Sequence, residues 1–339
     1  MQHYSIPTCY FPSMVLFLDD GNDFLLNVVL QLDECLAYRL FDAPIEALNF
    51  ISNYRCELGS FRRHCMSEYT EAKNLLNQTV HAGLAALHAE VYNPYRFSEI
   101  SVLVVDLAAR GMDGLEFCRR IENSNIKKIL LIGLGDEVRA IQALHEGLID
   151  CYINKNEEHV ASLIKRNIDA LQQGYFLGMS ERVARLLPVE LPNCLYDKKF
   201  AVFFSELREK KGIIEYYLIE KSGSFLMLDE DASTSVLILK REEDIKLSCA
   251  FARGNGASEA LLGVLARGEK IPGLWPSTDA VHAWSDWLDG LVSSQCFLGN
   301  ETYIYAYVPN HPLFALRQKK ILSYHRYLDE LDAEELVVL

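Results

Sequence analysis

The sequence predicts an α/β domain, a doubly wound five-stranded parallel sheet, followed by an α+β domain with an antiparallel sheet. Two observations predict this. In the first half, short continuous apolar runs alternate with stretches of helical periodicity, the pattern of strands buried on both faces by helices. In the second half, residues 214–240 alternate with a period of two and break at Ser222-Gly223 and Glu230-Asp231, as a three-stranded antiparallel meander does.

The elements follow in order. Residues 14–18 (MVLFL), 101–106 (SVLVVD) and 127–133 (KKILLIG) are the first, third and fourth strands; 37–42 (AYRLFD) fits the second and 150–155 (DCYINK) the fifth. Helical spacing covers 22–33, 114–122, 136–146 and 157–173. Then GYFLGMSERVARLLP and the proline-bounded PVELPNC read as a helical extension and linker. KFAVFFSELREKK, from residue 199, is an amphipathic helix. After the meander come two helices separated by RGNG, a stretch carrying Trp275, Trp284 and Trp287, and a strand at ETYIYAYV. A last helix, 313–331, puts Phe314, Ile321, Tyr324, Leu328 and Leu331 on one face. The predicted boundaries are 13–175 for the α/β domain, 176–195 for the extension and linker, and 196–339 for the α+β domain.

Composition narrows the function classes. With a formal charge of −14 over 339 residues, the chain is poorly suited to gripping a phosphate backbone. Its nine cysteines show no CxxC or metal-ligand spacing, which suits free thiols in a reducing compartment. No apolar run approaches the roughly 20 residues that cross a bilayer. The N-terminal MQHYSIPTCYFPS lacks a basic stretch followed by an apolar one, so no signal peptide is expected. A cytoplasmic location without membrane contact is the expectation.

The strand ends carry the chemistry. The first strand ends on Asp19 and Asp20, the third on Asp106 and the fifth on Lys155. In a doubly wound sheet the carboxyl ends of the strands line the ligand crevice, so three carboxylates and one ammonium converge there. Clustered carboxylates repel unless a cation neutralises them, and an all-oxygen set suits Mg²⁺. A polar turn after a buried strand would explain the Asp19-Asp20 pair taken alone. The further aspartate and the lysine at the same rim shift the reading to a site.

This pattern resembles the receiver domain of bacterial two-component response regulators. That family has an acidic pair after strand one, a phosphoaccepting aspartate opening D-x-x-M-P-x-M-D-G after strand three, and a lysine after strand five. Here the middle motif is DLAARGMDG, residues 106–114, with Met-Asp-Gly in place and Ala109-Arg110 where the family has Met-Pro. ALHEGLIDCYINKN, residues 143–156, is similar to the family's approach to strand five, with Asn156 in place of the usual proline. The resemblance covers residues 14 to about 175.

It implies that Asp106 is the nucleophile taking a phosphoryl group from a sensor histidine kinase. Asp19, Asp20, Asp106 and the backbone carbonyl of Ala108 would hold Mg²⁺, and Lys155 would pair with the phosphoryl oxygens. Tyr152 stands at the family's aromatic switch position. The family's Ser or Thr at the end of strand four is missing. Counting back from Lys155 places that position at Gly133, and counting from Gly147 places it at Ile132. The span from Asp20 to Asp106 is also much longer than the family uses, with the surplus as a helical insertion at about 52–97. Within it Tyr69, Ala72, Leu76, Val80, Leu84, Leu87 and Val91 form a helical stripe, either packed on its own domain or serving as a dimerisation or partner helix. His64, His81 and His88 lie nearby without an evident acidic partner.

The second half offers little catalytic chemistry. As a helix-turn-helix, its second helix ASEALLGVLARGE would bring only Arg267 to DNA, where recognition helices need several donors. From residue 196 onward there are 16 Lys and Arg against 22 Asp and Glu, which also argues against DNA. The GNG at 254–256 is either a helix-capping turn or a weak phosphate loop opening a helix. LDEDAS at 228–233 reads as a meander turn before a metal loop. No Ser/His/Asp or Cys/His arrangement is evident, so phosphoacceptor chemistry in the receiver is the only activity expected.

The expected function is a cytoplasmic response regulator of a phosphorelay. Its receiver would control a non-DNA-binding output through a downstream protein partner or a homodimer, using the 76–91 stripe or the 314–331 face. A fainter similarity is to quorum-sensing regulators that join a receiver to an unusual output domain. Two other readings stay open: an output that binds or processes nucleotides, and a phosphorylation-independent receiver-like scaffold, motivated by the missing hydroxyl.

Overall fold

The computed structural model describes residues 5–32, 35–58, 90–121, 125–186, 191–273, 284–311 and 321–338. These divide into two compact units. The first strand, β1 (Cys9–Tyr10), belongs to the second unit's sheet.

In the first unit, β2 (Met14–Leu18), β3 (Tyr38–Phe41), β4 (Ile100–Asp106), β5 (Lys127–Ile132) and β6 (Cys151–Asn154) form one sheet in the order β3-β2-β4-β5-β6. Every pairing in it is parallel. This is the doubly wound order, with its topological switch point between β2 and β4. The central β2 and β4 are buried at every residue, as their unbroken apolar runs require.

The helices are α1 (Asn22–Val29), α2 (Pro44–Leu58), α3 (Gly114–Arg120), α4 (Glu137–His145) and α5 (Val160–Leu186). Alternate strand residues Val15, Phe17, Val102, Val104, Ile129, Leu131 and Ile153 form one core cluster. Leu25 and Val28 of α1 and Ala161, Ile164 and Ile168 of α5 cover the same face. The helix predicted over 157–173 and the extension after it are continuous in α5, and the division between the units falls at Glu181/Arg182 within it.

The Met-Asp-Gly of the central motif has a structural role. Asp113 caps α3, its side chain accepting the Leu115 N–H at 2.9 Å. A β-carbon on Gly114 would lie 2.3 Å from the Asp106 carbonyl oxygen, so only glycine fits where α3 starts against the end of β4.

The second unit contains α6 (Lys198–Lys211), β7 (Glu215–Leu218), β8 (Phe225–Leu228), β9 (Thr234–Arg241), α7 (Glu242–Gly254), α8 (Glu259–Ala266), β10 (Lys270–Pro272), α9 (Trp284–Asp289), β11 (Leu291–Ser293), β12 (Gln295–Leu298) and β13 (Thr302–Pro309). Its main sheet is antiparallel with the order β1-β7-β8-β9-β13-β12, and β10 pairs with β11 in a separate ribbon. The predicted meander is β7-β8-β9. Asp197 caps α6 by accepting the Lys199 and Phe200 N–H groups, and it also accepts the Tyr303 hydroxyl at 3.1 Å. Phe200 and Phe204 of α6 pack on Tyr303, Tyr216 and Phe225 of the sheet, with ring centroids 4.7–5.0 Å apart.

Two turns are settled by their hydrogen bonds. Gly254 closes α7, so the GNG stretch is the helix-capping turn of the two readings. Gly256 takes a φ of +78°, and Ser258 caps α8. The acids of LDEDAS sit in the β8–β9 turn, where Asp229 accepts the Asp231 and Ser233 N–H groups.

The C-terminal helix α10 (Tyr324–Val338) departs from expectation. It groups with the parallel-sheet unit, so the α+β domain does not run to the C-terminus. Tyr324 and Tyr327 stack against Phe97 with centroids 5.0 and 5.5 Å away. Tyr324 Oη accepts the Ala37 N–H at 3.1 Å and donates to the Cys35 carbonyl at 2.6 Å. Tyr324 and Leu331, two residues of the face expected to meet a partner or a second copy, are buried, as is Tyr327 beside them; this side of the helix is used within the chain.

Phe314, Trp275, His64, His81, His88 and the predicted stripe from Tyr69 to Leu87 lie outside the described residues. Val91, the last residue of the stripe, is buried in a 3₁₀ turn, Glu90–Tyr92. Among the described residues, no helix is long and apolar enough to cross a membrane.

Candidate phosphoacceptor site

The site forms where the ends of β2, β4, β5 and β6 meet. Side chains on a strand alternate between faces, so Asp19 follows Val15 and Phe17, and Asp106 follows Val102 and Val104. By the same alternation Gly133 follows Ile129 and Leu131, and Lys155 follows Ile153. All four series belong to the cluster faced by α1 and α5. Asp19, Asp106, Gly133 and Lys155 therefore share one face at one edge, while Ile132 belongs to the other face and is fully buried. Of the two positions left open for the missing hydroxyl, Gly133 is the one on the site's side. A β-carbon there would meet nothing closer than Asp136 Oδ2 at 3.7 Å.

The backbone ladder continues past the strands and holds the charged residues. The Asp19 N–H donates to the Phe41 carbonyl at 3.1 Å, and the Lys155 N–H donates to the Ile132 carbonyl at 2.9 Å. Asp19 and Asp106 are buried and Asp20 is half-buried, and one oxygen from each lies within 4.8 Å of the others. Lys155 Nζ stands 2.6 Å from Asp19 Oδ2 and 3.0 Å from Asp106 Oδ1. The same ammonium lies 5.0 Å from the centroid of the Phe24 ring, which limits where it can swing.

Burial pushes the Asp106 carboxyl above its usual range. The hydrogen bond from Lys155 opposes this, the neighbouring Asp19 charge adds to it, and the Ala108 N–H, which donates to Asp106, lowers it again. Asp19 Oδ1 accepts the Gly21 N–H at 2.8 Å. Its Oδ2, although beside Lys155, is buried without a well-directed hydrogen bond. A buried oxygen in that state, within a set of three carboxylates, fits a hard divalent cation such as Mg²⁺. Ala108 is exposed on the loop after β4. Tyr152 is half-buried on β6, paired with Leu130, and its parity puts it on the face opposite Lys155.

One charged residue of the site escaped the sequence reading. Arg110, noted only as replacing a proline, has Nε 2.8 Å from Asp20 Oδ2. The signal was its position four residues after Asp106. Arg139 of α4 pairs with Asp113, the cap of α3.

A doubly wound parallel sheet with an aspartate trio and a bridging lysine at its carboxyl rim defines a receiver. The chain belongs to the response regulator family. It is 54% identical to the Legionella pneumophila response regulator LqsR, with a TM-score of 0.85 over 98% of this chain and 99% of that one. More distant structures include the receiver domain of the Francisella response regulator 1452, 16% identical with a TM-score of 0.30 over 47% of this chain and 96% of that one. A response regulator receiver domain protein from Clostridium thermocellum is 15% identical, with a TM-score of 0.29 over 50% of this chain and 98% of that one. No family model and no curated protein matches the chain.

Proposed function

We propose that this response regulator works in a phosphorelay, with Asp106 accepting a phosphoryl group from a sensor histidine kinase. The observation carrying the reading is Lys155 bridging Asp19 and Asp106 beside Asp20. An Asp106 carboxylate oxygen attacks phosphorus, the O–P bond forms, and the P–N bond to the kinase histidine breaks with the electron pair leaving on nitrogen. Asp19, Asp20 and Asp106 would hold Mg²⁺, with the Ala108 carbonyl as a further ligand, and the bound ion would supply positive charge for the transferring oxygens. Lys155 exchanges its contact with Asp106 for one with a phosphoryl oxygen. The packed Phe24 ring and the ladder bond to Ile132 keep its ammonium at the site.

The output acts through protein contacts, with a downstream partner or a second copy, in the cytoplasm and without DNA. The charge of −14 supports the last point. A place among quorum-sensing regulators is supported by the resemblance described above.

The test is intact-mass spectrometry after incubation with a small acyl phosphate and Mg²⁺. One phosphoryl group is expected on the wild type and none on Asp106→Asn. Asp113→Asn is expected to keep uptake, because Asp113 caps α3 outside the trio. No uptake by the wild type would favour the phosphorylation-independent scaffold.

A further inference from the structure

We propose that Arg110 is a built-in cation that pairs with Asp20 and competes with a divalent ion for it, so that this chain binds Mg²⁺ more weakly than its three carboxylates alone would. The inference rests on the reading of Asp19, Asp20 and Asp106 as a Mg²⁺ site. Its basis is the charge arrangement. Three carboxylates lie within 4.8 Å of one another. Lys155 neutralises the two buried ones, Asp19 and Asp106, at 2.6 and 3.0 Å. That leaves Asp20, which Arg110 pairs at 2.8 Å through Nε.

Asp20 cannot serve both partners without cost. A divalent ion held by Asp20 would face a guanidinium sharing the same carboxylate, and like charges at such separations repel. Arg110 can leave, because its side chain is 87% exposed and swings into water. Lys155 cannot leave as easily, being largely buried beside Phe24. Entry of the metal therefore displaces Arg110 and not Lys155. Arg110 is a positioning residue, acting on the metal through Asp20.

The size of the effect follows from exposure. An exposed ion pair contributes little, so removing Arg110 should tighten Mg²⁺ binding about 2- to 5-fold. Salt screens exposed charges, so the difference should shrink as ionic strength rises. A purely structural role for the side chain would produce no such salt dependence.

The experiment is isothermal titration calorimetry of the full-length chain with MgCl₂ at low and high ionic strength. It compares the wild type with Arg110→Ala, Arg110→Lys and Arg110→Glu. The expected order of affinity is Arg110→Glu tightest, then Arg110→Ala, with Arg110→Lys close to the wild type, and the spread narrowing in high salt. Wild-type binding with no tightening in Arg110→Ala would overturn this inference and leave the metal site standing. No Mg²⁺ binding by any of the four proteins would overturn both.

Discussion

Lys155 and Asp106 face each other at 3.0 Å at the carboxyl rim of the sheet, yet burial still leaves the Asp106 carboxyl above its usual range. The pairing therefore does not offset desolvation. A carboxyl with a raised folded-state pKa binds protons more tightly in the native state than in the unfolded one. Its ionisation then weakens the fold as pH rises toward neutral. Asp106→Asn removes that charge and should be more heat-stable than the wild type at pH 7 in chelator-treated buffer. A gain of about 2–4 °C corresponds to ~1 kcal/mol in a unit of this size. The gain should diminish on acidification through the raised pKa, because protonated Asp106 is already neutral. Melting curves across pH check this; an Asp106→Asn variant less stable at pH 7 would mean that the contact with Lys155 outweighs burial.

Gly133 can be given the hydroxyl that the family usually has there. The site has room, with Asp136 Oδ2 at 3.7 Å as the nearest atom to a new β-carbon. A hydrogen bond to a charged group contributes on the order of 1.5–3 kcal/mol, enough to shift a two-state population roughly ten-fold or more. The wild type should therefore change its sedimentation only slightly on phosphorylation, and Gly133→Ser should change it more. Equal changes in the two proteins would show that the hydroxyl is not the missing part.

Tyr324 ties α10 to the parallel-sheet unit through two hydrogen bonds, to the Ala37 N–H and the Cys35 carbonyl. Ala37 is fully buried, so Tyr324→Phe leaves a buried donor unpaired there. The expected cost is about 1–3 kcal/mol, read as a lower urea midpoint for that unit. Tyr324→Ala should cost more, because it also strips the ring from Phe97. Wild-type unfolding of both variants would mean that α10 contributes nothing to the stability of that unit.

What could be read from the sequence followed from local pattern. The runs that form β2, β4 and β5 are continuous and apolar, so the sequence alone marks their ends at Asp19, Asp106 and the pair Ile132-Gly133. The choice within that last pair needed strand parity, which depends on knowing where each ladder starts. β1 is two residues long, too short to carry a period, and its pairing with β7 is a long-range event. The return of α10 to the first unit is likewise non-local: its apolar face was visible, but what covers it was not. The Arg110–Asp20 pair depends on the path of the 107–113 loop, which no periodicity encodes.

The assignment of Asp106 as phosphoacceptor is tested by locating the modified residue. The wild type would be treated with an acyl phosphate and Mg²⁺, reduced with borohydride to convert the acyl phosphate to an alcohol, digested and mapped by mass spectrometry. The predicted result is a single modified residue, Asp106, with the label diminished in Lys155→Ala and absent when Mg²⁺ is chelated. Modification at Asp19, Asp20 or Asp113, or at no residue, would rule out Asp106 as the phosphoacceptor.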